Sequence, residues 1–176
     1  MDTKDILRIV QRSSKLKNVF IGVFPSDRLP KKIEKYPVAL IVNVDDHTQP
    51  GSHWLAMYID QHRSGEFFDS YARHPLMYNK QFVHFLNHHC REWVFNEKTL
   101  QSHWSTVCGQ YCLFYLLNKV HGKSLGSILA YFTHDRVQND RHVHAYINRH
   151  YPIHAPMHDV DLILRQIAKP LHSYNV

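Results

Sequence analysis

Cys108 is the residue whose position most strongly suggests chemistry. It precedes Gly109 at the head of the segment CGQYCLFYLLNKV, whose apolar residues recur at helical spacing. A thiol at a helix N-terminus meets free backbone N–H groups and the positive end of the helix dipole, which favour the thiolate. The thiolate is the nucleophilic form, although an isolated cysteine at such a position is more often a buried structural thiol.

Catalysis by a thiol also needs a base, a group that orients the base, and donors for the developing oxyanion. The sequence offers His53 in GSHW at the start of a predicted strand and Asp69 in FFDSY at the end of the next. Gln101 in LQSHW stands seven residues before Cys108. These four residues are the candidate site.

A metal site is the competing interpretation of Cys108 and Cys112, joined by some of the sixteen histidines. Their C-x₃-C spacing lacks a second matching pair, and neither His88–His89 nor His142 and His144 have partners at zinc-like spacing. We therefore expect no metal. Cys112, one helical turn after Cys108, is expected to pack in the core.

The elements around these residues predict an α+β fold. Strands are predicted in NVFIGVF, PVALIVNV, HWLAMYID and EFFDSYA, with a further candidate in VFNEKTLQ. Helices are predicted in TKDILRIVQRSS (capped by Asp2 or Thr3), NKQFVHFLNHHCREW, 108–121, LGSILAYFT, DRHVHAYINRHY and DVDLILRQIAKPL. Strands early and helices late indicate a mixed, mainly antiparallel sheet packed against helices, in one domain spanning 1–176.

Composition narrows the class of protein. Three cysteines do not suggest a disulfide framework, and neither a signal peptide nor a membrane span is expected, so an intracellular, reducing compartment is predicted. Residues 1–35 hold nine Lys/Arg against four Asp/Glu, or +5 of the formal net charge of +6. This asymmetry suits a basic patch for nucleic acid or an acidic partner, and equally a plain solvated surface.

The motifs GSHW, FFDSY, TLQ and STVCGQYC together resemble the adenovirus-type cysteine protease (adenain) family, in the same clan as the SUMO-specific proteases. The resemblance runs from about PVALIVNV through the helix at 108–121. The order His, Asp, Gln, Cys is the reverse of papain-like enzymes, in which the cysteine comes first. A source in an adenovirus relative, another double-stranded DNA virus or a virus-like (Polinton/Maverick) transposon is expected.

The resemblance implies a thiol protease of papain-related fold, with a buried central helix starting at the nucleophile. Cys108 would be the nucleophile, His53 its general base and Asp69 the residue that orients the imidazole. Gln101 and the backbone N–H of Cys108 would form the oxyanion hole. Gly109 would let the backbone pass close to the site, and no metal would take part.

The acid departs from the family pattern, because adenovirus enzymes usually carry glutamate there and this chain carries aspartate. Simple hairpin counting across QHRSG also places Asp69 nearer Met57 than His53, so a changed register or a bend is required. Glu66 is the alternative acid.

The resemblance further implies activators and a setting. Cys90, upstream of Gln101, would form a disulfide with a short activating peptide, and DNA would bind the basic N-terminal region; packing at a helix end is the alternative for Cys90. Substrates would be viral capsid and core precursors, cut beside small residues such as glycine in the host nucleus or the virion. No membrane partner is expected. The alternatives are a deubiquitinase or ubiquitin-like-modifier protease, and a non-catalytic DNA-binding or capsid-associated module.

Overall fold

A five-stranded mixed sheet forms the centre of the computed structural model, which describes residues 1–152. The strands lie in chain order: β1 (Phe20–Phe24), β2 (Val38–Asn43), β3 (Trp54–Ile59), β4 (Ser64–Phe68) and β5 (Glu92–Phe95). The two inner pairs, β2–β3 and β3–β4, are antiparallel, whereas β1–β2 and β4–β5 are parallel. The predicted α+β class with a mixed sheet is confirmed.

The helices are α1 (Thr3–Arg12), α2 (Ser14–Lys17), α3 (Lys80–His89), α4 (Cys108–Lys119), α5 (Leu125–Leu129) and α6 (Arg136–His150), with a 3-10 turn at Pro75–Met77. Asp2 caps α1 in a capping box with Asp5, as the sequence suggested. The helix predicted in DVDLILRQIAKPL lies outside the described residues. Within residues 1–152, no helix combines the length and the apolar character that crossing a bilayer requires.

The sheet is covered on both faces, which explains why its central strands are apolar throughout. Along β2, Ala39 and Ile41 join a core cluster with α1, α4 and α6, while Leu40 joins a second cluster with α3. The side chains of β3 alternate in the same way, with Ala56 in the first cluster and Leu55 and Met57 in the second. Helix α4 packs directly on the first face, where the ring of Tyr115 stacks on Phe68 at 4.5 Å between centroids.

The segment NKQFVHFLNHHCREW is a helix only as far as His89. Its last residues belong to β5, which pairs in parallel with β4 so that Glu92 lies beside Ser64. The aromatic and β-branched residues of EWVF favour a strand, and pairing also gives the backbone groups at the edge of β4 their hydrogen-bond partners. The same pairing limits VFNEKTLQ, in which strand structure ends at Phe95.

The β3–β4 hairpin has a different register from the one that simple counting gives. The backbone N–H of Asp60 donates to Ser64, and Arg63 closes the turn with a φ of 66°. A three-residue connection ending in this left-handed conformation is a common hairpin loop. The expectation that Asp69 lies opposite Met57 was therefore wrong: Met57 pairs with Phe67, and Asp69 follows the end of β4.

Candidate active site

His53 and Asp69 form a buried pair at one end of the sheet. His53 directly precedes β3 and Asp69 directly follows β4, and these two strands are antiparallel neighbours. The imidazole Nε2 lies 2.7 Å from Oδ1 of Asp69. Only 8% of His53 and 1% of Asp69 are exposed, so the contact is shielded from water. The strand ends thus bring together two of the four candidate residues.

The Asp69 carboxylate has a full set of donors besides His53. Its Oδ1 accepts the backbone N–H of Tyr71 at 3.0 Å, and its Oδ2 accepts the N–H of Arg73 at 2.9 Å and the hydroxyl of Tyr78 at 2.8 Å. Burial raises the pKa of Asp69, but the bond and charge of His53 and the two backbone donors outweigh it, so the pKa is lowered overall. Asp69 is therefore ionised at neutral pH.

Three residues that the sequence analysis did not single out support this pair. Asn96 donates to the carbonyl of Asp69 at 2.7 Å and accepts its N–H at 2.8 Å, which fixes the backbone where β4 ends. The ring of Tyr71 lies 4.9 Å from the imidazole centroid, and the ring of Tyr78 lies 5.7 Å from it. No spacing in the sequence connects these residues with His53, because strands β3 and β4 separate Tyr78 from it, and helix α3 also intervenes before Asn96.

Cys108 is the first residue of α4 and lies beside His53, with 8% of its surface exposed. Burial raises the pKa of this thiol, but its interaction with the His53 imidazole lowers it, and so do the backbone N–H groups of Trp54 and Gly109. The net result is a lowered pKa. The N-cap residue Val107 supplies no side-chain acceptor, which leaves the helix N-terminus to the thiolate.

The pKa of the His53 imidazole is shifted in the opposite direction from that of the Cys108 thiol. Burial lowers the pKa of His53, whereas the hydrogen bond to Asp69 and the interaction with Cys108 raise it, to about 9 overall. A thiol with a lowered pKa beside an imidazole with a raised one favours a thiolate–imidazolium pair at neutral pH. This charge arrangement is the one that an activated cysteine nucleophile requires.

Gly109 allows close packing beside Cys108. A Cβ atom at this position would lie 3.0 Å from Sδ of Met1 and 3.3 Å from Cδ1 of Trp54. The Trp54 indole in turn donates to the carbonyl of Met1 at 3.2 Å. The first residue of the chain therefore packs against the tryptophan that follows His53, a contact that the sequence did not predict.

Gln101 is buried, with 1% of its surface exposed, and belongs to the loop that leads to α4. The hydroxyl of Tyr111, one turn into α4, donates to the carbonyl of Leu100 at 3.0 Å and links this loop to α4. The Gln101 amide donates one N–H to the carbonyl of Ser105 at 2.8 Å. Its second N–H has no partner in the described part of the chain.

Glu66, the alternative acid, lies away from His53. Its carboxylate accepts the hydroxyl of Tyr115 and the ammonium group of Lys119, each at 2.7 Å. Both partners belong to the middle and end of α4 rather than to its N-terminus. The structure thus pairs His53 with Asp69, and Glu66 with α4.

The other two cysteines lie apart from the pair. Cys90 packs over β4 so closely that a Cβ atom on Gly65 would clash with its sulfur, and burial raises its pKa to about 11. Cys112 is fully buried in the core, and burial raises its pKa as well. Among residues 1–152, no group of three His, Cys, Asp or Glu side chains is arranged to hold a metal ion.

These surroundings predict selective labelling of one thiol. Iodoacetamide at pH 7 should modify Cys108 in the folded protein at least ~100-fold faster than Cys90 or Cys112, because only a thiolate reacts and a pKa near 11 leaves about one thiol in 10⁴ ionised. Peptide mass spectrometry over a time course measures the three rates. Equal alkylation rates for the three cysteines in the native protein, as expected in urea, would contradict the prediction.

Comparisons with known proteins give fold-level similarity. No protein-family model matches the chain, and no curated protein matches it. Similar solved structures include a protease of ASFV, at 23% identity and a TM-score of 0.40. The match covers 64% of this chain and 46% of the ASFV protein. They also include the central domain of Lpg1148 from Legionella pneumophila, at 14% identity and a TM-score of 0.48, with 82% of this chain and 97% of that domain covered. ChlaDub1 from Chlamydia trachomatis matches at 16% identity and a TM-score of 0.48, with 85% of this chain and 77% of that protein covered. The chain thus spans less than half the length of the ASFV protease.

Proposed function

We propose that this chain is a cysteine endopeptidase, with Cys108 as nucleophile, His53 as general acid and base, and Asp69 as the residue that orients His53. The observation that carries the proposal is the buried His53, bonded to Asp69 through Nε2 and in contact with Cys108. A buried imidazole in contact with both a carboxylate and a helix-terminal thiol is the arrangement that activates a cysteine.

The reaction proceeds in two halves. The Cys108 thiolate attacks the carbonyl carbon of the scissile amide, and the His53 imidazolium gives its proton to the departing amine, leaving a thioester on Cys108. Neutral His53 then takes a proton from water, which attacks the thioester and releases the acid. The imidazolium finally regains its place beside the thiolate. Asp69 remains ionised throughout and keeps the Nε2 proton directed at itself, so that Nδ1 serves the sulfur.

Negative charge develops on the carbonyl oxygen in both halves. The free N–H of Gln101 and the backbone N–H of Cys108 are the donors we assign to it. Both are fixed before the substrate arrives, Gln101 by its burial and Cys108 by the helix it begins. Donors that need no reorganisation are the effective ones in such a site.

The substrates we propose are precursor proteins of a virus or a virus-like element, cleaved in the host nucleus or in the virion. This part rests on the resemblance of GSHW, FFDSY, TLQ and STVCGQYC to adenain, as does activation by DNA at the basic residues 1–35. Activation through a disulfide at Cys90 has less support, because its sulfur packs against Gly65 and its pKa is raised.

The proposed thiolate–imidazolium pair is tested by the pH dependence of Cys108 alkylation in the wild type and in His53→Ala. The wild type should react rapidly well below pH 8. The variant should lose at least ~100-fold at pH 6, because an unassisted thiol with a pKa near 8.5 is only about 0.3% ionised there and burial reduces that fraction further. Alkylation rates from pH 4 to 9, followed by intact mass, give both curves. Superimposable curves would remove the basis of the proposal.

Substrate class is decided by a second experiment. Wild-type protein is incubated with a peptide pool rich in glycine, with and without plasmid DNA, and separately with ubiquitin and SUMO vinyl-ester probes. Cleavage of peptides that stops after alkylation supports the endopeptidase, and faster cleavage with DNA supports the activator. A covalent probe adduct without peptide cleavage indicates a modifier protease. DNA binding without any turnover or adduct indicates a non-catalytic module.

A further inference from the structure

Ser70 directly follows Asp69, and its side chain is as deeply buried as that of its neighbour, with 1% exposed. The Ser70 hydroxyl donates to Oε1 of Gln101 at 2.6 Å. The backbone carbonyl of the same serine accepts the N–H groups of Leu100 at 2.9 Å and Gln101 at 3.1 Å. One residue therefore holds both the backbone and the side chain of Gln101.

These bonds decide which way the Gln101 amide faces. A primary amide has one oxygen and one NH₂ group, and rotation by half a turn exchanges them. With Oε1 bonded to the Ser70 hydroxyl and one N–H bonded to the carbonyl of Ser105 at 2.8 Å, the orientation is fixed at both ends. In the reverse orientation the Ser70 hydroxyl could rotate to accept the NH₂ group, but Oε1 would face the carbonyl oxygen of Ser105, and two acceptors cannot bond.

The loop after Gln101 supports the second of these bonds. Asp140 in α6 accepts the backbone N–H of Ser102 and also its hydroxyl, and the N–H of Ser105 donates back to the carbonyl of Ser102. The carbonyl of Ser105 is thus held in place by a short turn anchored to a helix. The remaining N–H of Gln101 is consequently the one group of this amide left free for a ligand in the described structure.

We infer that Ser70 is a positioning residue of the oxyanion hole, which fixes the Gln101 amide with its free N–H directed to the reacting carbonyl oxygen. Asp69 and Ser70 then divide two tasks between adjacent positions: one side chain orients the imidazole and the next orients the oxyanion donor. The inference rests on the proposed hydrolysis, since an oxyanion forms only in that reaction.

The test compares peptide hydrolysis by the wild type, Ser70→Ala, Gln101→Ala and the double variant. Removing a single oxyanion donor typically lowers kcat by about 10²–10³-fold, and we expect this for Gln101→Ala. Ser70→Ala keeps the amide but removes one of the two bonds that hold it and leaves Oε1 without its donor, so kcat should fall by roughly 10-fold to 100-fold with KM within about twofold. The double variant should be no slower than Gln101→Ala, because no amide is left to orient.

Two further measurements separate positioning from damage to the fold. Iodoacetamide alkylation of Cys108 needs the thiolate but forms no oxyanion, so Ser70→Ala should keep the wild-type rate and pH profile. Ser13→Ala, which removes another buried hydroxyl far along the chain in α1–α2, should keep the wild-type kcat.

Several results would overturn the inference while leaving the protease intact. These are an unchanged kcat in Ser70→Ala beside a lowered one in Gln101→Ala, losses that multiply in the double variant, or a Cys108 alkylation profile that shifts in Ser70→Ala. A wild type that hydrolyses no peptide would overturn the proposed function itself, and the inference with it.

Discussion

Replacing Cys108 with alanine should reduce peptide hydrolysis by roughly 10⁶-fold, to the level that binding and oxyanion donors supply alone, because no nucleophile remains. The substitution removes one sulfur atom at the start of α4 and leaves its backbone N–H in place. The fold should therefore persist. Steady-state hydrolysis of a peptide that the wild type cleaves, with circular dichroism on the same samples, gives the comparison.

Cys112→Ala is the matched control, because it makes the same substitution one helical turn further on. Cys112 is buried in the core cluster, and burial raises the pKa of its thiol. We expect hydrolysis within about threefold of the wild type, with a modest loss of stability from the small cavity. Equal activity in wild type and Cys108→Ala would refute the assignment of the nucleophile. Loss of activity in Cys112→Ala alone would move the assignment to that residue.

The parts of the site that could be predicted from sequence are those in which residue type and local context coincide. Cys108 stands at a helix head and before a glycine, and His53 at a strand start, so both positions were recognisable without knowing the sheet order. The central strands were equally clear, because a strand covered on both faces is apolar at every position, as β2 is.

The supporting residues were not predictable, because their partners are distant in sequence. Asn96 reaches the backbone of Asp69 across 27 positions, and Asp140 reaches Ser102 across 38. Ser70 adjoins Asp69 in the sequence, but its burial and its bond to Gln101, 31 positions away, were visible only in the structure. The hairpin register failed for a local reason, the left-handed residue Arg63, which shortens the turn.

Changing Asp69 to asparagine should lower kcat/KM by roughly 10⁴-fold, because the amide disturbs the tautomer of His53. The carboxylate accepts two donors at each oxygen: His53 and the N–H of Tyr71 at Oδ1, and the N–H of Arg73 with the Tyr78 hydroxyl at Oδ2. An asparagine has only one oxygen. The hydroxyl can rotate to accept, but a backbone N–H cannot, so either placement of the NH₂ group opposes a donor.

The same substitution should change the pH profile. Asp69 raises the pKa of His53, which reaches about 9 in the wild type, so the alkaline limb of hydrolysis should lie near pH 9 there. Without the negative charge this pKa falls, and the alkaline limb should move to lower pH. Residual hydrolysis of Asp69→Asn across pH 5–10 measures the shift. A limb that stays near pH 9 would mean that another group sets it.

Glu66→Gln makes the same carboxylate-to-amide change at the alternative acid. It breaks the ion pair with Lys119 and leaves the Tyr115 hydroxyl an oxygen to bond, so it should cost stability but keep kcat/KM within a few-fold. Because both substitutions remove one negative charge near α4, the pair of variants separates orientation of His53 from general electrostatics. Full activity in Asp69→Asn together with loss of activity in Glu66→Gln would assign the role of the acid to Glu66. The 2.7 Å contact between Asp69 and the imidazole leads us to expect the opposite result.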